Sequence, residues 1–103
     1  MKLWLDDERD PVDFGQEGFT WAKNIWDARL YLESGEVSFA SLDHDLGPGY
    51  SGFSTGYDLI NWMEANDIWP KDGISIHSMN PVGRKQMEVV VYKHYGRNFS
   101  PMS

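Results

Sequence analysis

Leu3-Trp4-Leu5-Asp6-Asp7-Glu8-Arg9 and Ser41-Leu42-Asp43-His44-Asp45-Leu46-Gly47 decide how this chain is read. Each starts in an apolar run that reads as a strand and then breaks into carboxylates. If the two strands are neighbours in a parallel sheet, Asp6, Asp7, Glu8, Asp43 and Asp45 gather at one sheet edge. Carboxylates that close repel one another and need a proton or a cation between them. A hard divalent cation satisfies that need most simply. Asp6, Asp7, Asp43 and Asp45 are therefore expected to hold a metal ion, Mg2+ or Mn2+.

Outward from these stretches, strands alternate with helices. Residues 2–6 form the first strand, and residues 7–17, rich in Asp, Glu, Pro and Gly, form a loop. A short second strand covers residues 19–22. Asn24 caps a helix running to about Ser34 and ended by Gly35, with Ile25, Ala28 and Leu32 on one face. The third strand covers residues 37–42. A glycine-rich loop follows over residues 47–54, in which Tyr50 and Phe53 suggest a lid. Thr55 and Asp58 make a capping box for the second helix. The fourth strand covers residues 74–77. Asn80-Pro81 then opens a last helix that ends near Tyr95.

This alternation predicts an α/β fold with a small, open, mostly parallel sheet of about four strands, formed by residues 1–103 as one domain. One connection is anomalous. Only about a dozen loop-like residues join the first two strands, where a parallel crossover ordinarily needs a helix. Either this crossover is degenerate or the second strand is not parallel.

Composition bounds the function. The chain has 103 residues, enough for one core, and aromatics make up 15% of it, which argues against disorder. It has no cysteine, which excludes disulfides and thiolate metal sites and fits a cytoplasmic location. The N-terminal apolar run is too short for a signal peptide or a membrane span. Net charge is -7, and residues 1–80 hold 15 of the 16 acids. Broad binding to duplex DNA is thereby disfavoured. Residues 81–103 hold four bases and one acid, so the last helix can meet one phosphate or one strand end.

In open parallel sheets, ligands bind at the carboxyl ends of strands. Those ends carry Asp6-Asp7, Asp43-His44-Asp45 and His77-Ser78. Extended spacing puts Asp43 and Asp45 on one side and His44 on the other, unless the turn at Leu46-Gly47 swings it back. His44 and His77 are expected to act as general base and acid. Ser78, Asn80 and Arg84, at the start of the last helix, are expected to bind phosphate, because free N–H groups there attract anions. A cation in that first turn opposes the helix dipole, which gives Arg84 a reason to face an anion. His94 reads as a surface residue. Trp4 reads as core, or as a platform on which a base could stack.

Four ordered motifs now resemble a known family: Leu3 to Arg9, Ser41 to Gly47, Thr55-Gly56-Tyr57-Asp58, and His77-Ser78-Met79-Asn80-Pro81-Val82-Gly83. Together they look like the cyclic-phosphate processing receiver domain family. The resemblance implies a receiver-like, flavodoxin-like fold that here lacks the fifth strand and the lysine following it. By the same resemblance Asp6 and Asp7 match a Mg2+-binding acidic pair, Asp43 matches a phosphate-accepting Asp, and Ser78 lies near a switch hydroxyl. The activity implied is a metal-assisted phosphoesterase, a hydrolase of RNA end processing. Its substrate would be a 2′,3′-cyclic phosphate on a nucleotide or an RNA terminus. The alternative is a non-catalytic receiver-like module that binds metal and a protein partner. An Asp-x-Asp pattern also occurs in phosphotransfer folds of the Toprim and haloacid-dehalogenase types, but the lysine and downstream acidic pair they need have no counterpart here.

Overall fold

The computed structural model describes residues 1–46 and 55–96. Among them run β1 (Lys2–Leu5), β2 (Phe19–Ala22), α1 (Ile25–Glu33), β3 (Phe39–Leu42), α2 (Gly56–Asn66), β4 (Ile74–Ile76) and α3 (Pro81–Tyr95). The four strands form one sheet in the order β2-β1-β3-β4, and every pairing is parallel. The result is an open, receiver-like α/β fold. β1 ends before Asp6 and β4 before His77, each one residue short of the sequence expectation, and β3 starts at Phe39, two residues later than expected. The Asp6 and His77 N–H groups still donate to the Ala22 and Leu42 carbonyls of the neighbouring strands. The expected lid at Tyr50 and Phe53 lies outside the described residues.

The anomalous crossover proves to be degenerate, and β2 is parallel. In place of a helix it holds one 3-10 turn, Pro11–Phe14. Asp10 caps the turn by accepting from the Val12 N–H, Pro11 sits at its first position, and Gly15 closes it with φ of 70°. A left-handed backbone at that point favours glycine.

Side chains alternate across the sheet and divide it into two faces. Leu3, Leu5, Ala40, Leu42, Ile74 and Ile76 join Ala28, Leu32, Leu59, Ile60, Met63, Met87 and Val91 in one core cluster, so all three helices supply the same layer. The opposite face is aromatic. Phe19 meets Phe39 edge-on, Trp4 meets Phe19 edge-on, and Phe14 of the 3-10 turn stacks on Trp4 at 6.1 Å.

Strand order reverses between β1 and β3, because β2 and β3 lie on opposite sides of β1. That reversal opens a crevice at the carboxyl ends of those two strands, where α/β sheets of this order bind ligands. Leu5 is in register with Leu42, so Asp6 and Asp43 leave the sheet side by side.

The start of α2 is packed tightly against this edge. A Cβ on Gly56 would sit 1.9 Å from the Asp43 carbonyl oxygen and 2.7 Å from the Met87 methyl. Gly56→Ala must push α2 off the end of β3, and overpacking of this kind costs about 1–3 kcal/mol. The expected result is a lower urea midpoint at unchanged slope. A wild-type midpoint would show that the helix start has room to move.

Candidate active site

Asp6 is 1% exposed and uses both carboxylate oxygens. Oδ1 accepts from the backbone N–H of Glu8 (2.9 Å) and of Arg9 (2.8 Å), so the acidic run folds into a tight turn around it. Oδ2 accepts from Arg9 Nε at 2.9 Å and lies 3.1 Å from His77 Nε2. Asp43, also buried, accepts from the His44 N–H through Oδ1 and meets Arg9 Nη2 at 3.3 Å through Oδ2. The cation between the two carboxylates is thus the chain's own guanidinium. Arg9 is further held by Trp4, whose Nε1–H donates to the Arg9 carbonyl, and it lies over the Phe14 ring.

His77 closes the group. Its ring stacks on Trp4 with centroids 3.8 Å apart and planes 4° from parallel, and its Nδ1 lies 2.8 Å from the Ser41 hydroxyl. One potential ligand atom from each of Asp6, Asp43 and His77 falls within 4.8 Å of the other two. Two oxygens and an imidazole nitrogen are a plausible donor set for Mn2+. Mg2+, which prefers oxygen ligands and water, matches the two carboxylates better than the ring. Either ion would require Arg9 to yield its place.

Electrostatics follow from this packing. Burial alone would raise the Asp6 carboxyl, but the Arg9 and Glu8 N–H groups, the Arg9 charge and the His77 contact bring it below the usual carboxylate value. Asp43 is raised, first by burial and then by the Asp6 charge, and Arg9 offsets this only in part. Burial pushes His77 down to about 4, against the pull of Asp6. His77 is therefore a neutral imidazole near pH 7. Asp6 can only accept, so the neutral ring meets it with the proton on Nε2.

Of the other expected site residues, His44, Ser78, Asn80 and Arg84 neither line the cleft beside this centre nor belong to the three-residue group. Asp7 and Asp45 line a cleft together with Asp6, Glu8, Arg9, Asp43 and Met79, but neither belongs to the three-residue group. Asp45 instead accepts from His44, whose Nδ1 lies 2.8 Å from Asp45 Oδ1; Asn80 Nδ2 also donates there at 3.3 Å. The His44 bond is the first cause of the low Asp45 carboxyl. Nε2 of His44 has no hydrogen-bond partner among the described residues. The His44 ring packs on Gly83, where a Cβ would lie 2.5 Å from it.

The start of α3 differs from expectation. Asn80 Oδ1 accepts from the Val82 and Gly83 N–H groups, Pro81 has none, and the Arg84 N–H donates to the Asn80 carbonyl. The first-turn donors expected to hold phosphate are taken by the cap. Ser78 Oγ accepts from the Asn80 N–H, and Arg84, one residue beyond the first turn, pairs with Glu88 at 3.4 Å.

Sequence reasoning gave no role to Arg9 or Ser41. The signals were present: Arg9 is the one base in an acidic run, three residues after Asp6, and Ser41 is the one polar residue in β3.

A parallel sheet whose order reverses between β1 and β3, with buried acids at that reversal, defines a receiver-class domain with a modified acidic site. The family model of the cyclic-phosphate processing receiver domain matches residues 1–93, and the chain belongs to that family. No curated protein and no solved structure matches it. No described helix is long and apolar enough to cross a membrane.

Proposed function

We propose that this protein is a metal-assisted phosphoesterase that opens cyclic phosphates, either 2′,3′-cyclic ends of RNA or small cyclic nucleotides. The observation that carries the reading is the convergence of Asp6, Asp43 and His77 at the sheet reversal. A divalent cation of the Mg2+ or Mn2+ class held by Asp6 and Asp43 would supply charge neutralisation at the phosphoryl group. Water attacks phosphorus and the bond to one ribose oxygen breaks, leaving a phosphomonoester. His44, oriented by Asp45, takes the water proton on Nε2 and returns it to the leaving oxygen. His77 acts as a neutral donor, offering Nε2–H to a phosphoryl oxygen, in place of the charged acid expected from sequence. Arg9, which the ion would displace from between the carboxylates, would pair with a second phosphoryl oxygen, and Ser78 and Asn80 would bind phosphate only by giving up the Asn80 N–H and Asp45 contacts they now make. Arg84 could join only by leaving Glu88.

The test is a panel of cyclic and linear nucleotides with Mg2+, Mn2+ or EDTA. Turnover of cyclic substrates is expected with metal. His44→Ala should lose about 100- to 10,000-fold and His77→Ala about 100- to 1,000-fold. Full activity in both variants would remove these roles. One observation favours the alternative, a non-catalytic module with a protein partner: Arg9 already neutralises the acidic pair without any metal. Absence of turnover across the whole panel would favour it.

A further inference from the structure

The geometry points to Ser41 as a positioning residue that holds the His77 ring so that its proton sits on Nε2, facing the site. This rests on the role proposed above for His77, but its central measurement needs no substrate.

Ser41 is 4% exposed, in the middle of β3, with its hydroxyl 2.8 Å from His77 Nδ1. A hydroxyl rarely occupies such a place without a partner, and here His77 is that partner. At rest the ring is held at both ends, by Ser41 at Nδ1 and by Asp6 at Nε2, and is pressed flat against Trp4. Since Asp6 takes a proton from Nε2, the Ser41 O–H donates to Nδ1. Turning the ring over about its Cβ–Cγ bond would put carbons where both nitrogens now stand and break both bonds. An incoming phosphoryl oxygen competes with Asp6 for the Nε2 proton. Once it takes that bond, Ser41 is the remaining polar restraint on the ring. Orienting partners of a working histidine act in this way.

Nitrogen NMR of labelled, metal-free protein at neutral pH distinguishes protonated from lone-pair ring nitrogens. Wild type should show His77 protonated at Nε2, with Nδ1 a lone pair shifted by an accepted hydrogen bond. The reverse tautomer would overturn the inference without reference to any variant. Ser41→Thr and Ser41→Val both add a methyl group, so their packing cost is shared, and only Thr keeps the hydroxyl. The Thr variant should keep the wild-type pattern. In the Val variant, Nδ1 should move to the position of an unbonded lone pair and the ring signals should broaden by exchange. A Val spectrum that matches the Thr spectrum would also overturn the inference.

With 2′,3′-cyclic nucleotide as substrate, the Val variant should lose about 10- to 100-fold in kcat with KM little changed, the range seen for such orienting partners. Equal kcat in Thr and Val variants would refute the positioning role. If wild type turns over no cyclic phosphate, the proposed reaction fails while the spectra still decide the role of Ser41.

Discussion

Asp6→Ala is expected to lower stability by about 3 kcal/mol, the low end of the cost of removing one partner of a buried ion pair. Asp6 accepts from two backbone N–H groups and from Arg9 Nε, and it meets His77 Nε2. Alanine leaves all four donors without that acceptor. Arg9 keeps Asp43 and is part-exposed, so water relieves some of the loss, which is why the low end applies. Asp6→Asn separates shape from charge. Its Oδ1 can still accept from the Glu8 and Arg9 N–H groups, but its NH2 would face the Arg9 and His77 donors. An intermediate loss of about 1–3 kcal/mol is expected, the cost of leaving buried polar groups mismatched. Urea unfolding of the three proteins in EDTA checks the order. An alanine variant within ~0.5 kcal/mol of wild type, the range of ordinary surface substitutions, would show that the turn from residues 6 to 9 does not depend on this carboxylate.

Part of this arrangement was legible in the sequence because it depends on local signals. Strand–helix alternation gave the sheet, and the caps at Asn24, Thr55 and Asn80 fall where sequence places them. Adjacency of β1 and β3 follows once the sheet is parallel and its acids are taken to share one edge. The crossover to β2 was ambiguous because a 3-10 turn of four residues has no hydrophobic period to detect. Its signals, Asp10 before it, Pro11 at its first position and Gly15 after it, are also those of an ordinary loop.

The site was legible in its membership more than in its pairings. Asp6, Asp43 and His77 could be named from strand ends. That Asp45 pairs with His44, leaving the centre to Asp6 and Asp43, depends on how the chain turns after β3, which alternation alone does not fix. The cap bonds at α3, where phosphate binding was expected, escaped the sequence reading for a related reason. Asn80 is a strong cap, and a strong cap uses the N–H groups that a phosphate would need. Trp4 was assigned to core packing or to a ligand, and the structure gives it neither role alone: it is buried, and it stacks on His77.

Acid should weaken the fold well above the usual carboxylate range, and His77 is the cause. Its folded value is depressed from the usual 6.5 to about 4, chiefly by burial, with Arg9 adding to it and Asp6 opposing. The unfolded chain therefore binds a proton at this position before the folded protein does. The sign follows: the contribution is fully present above about pH 6.5 and is lost as pH falls toward about 4. A shift of this size is worth about 3 kcal/mol, at roughly 1.4 kcal/mol per unit. Asp43 works the other way, since its folded value is raised. Its contribution is present below the ordinary carboxylate value and fades as pH rises through the raised one, so it partly offsets His77 at the acid end of the window. Asp6, being depressed, is lost only as pH falls through its lowered value, below the His77 window. Urea midpoints taken across the window in EDTA, for wild type and His77→Gln, isolate the effect. Gln does not titrate, so the variant should start less stable near neutral pH and converge on wild type as pH falls. Parallel curves for the two proteins would mean that His77 binds its proton equally well folded and unfolded, and that the Trp4–Ser41–Asp6 enclosure is open to water.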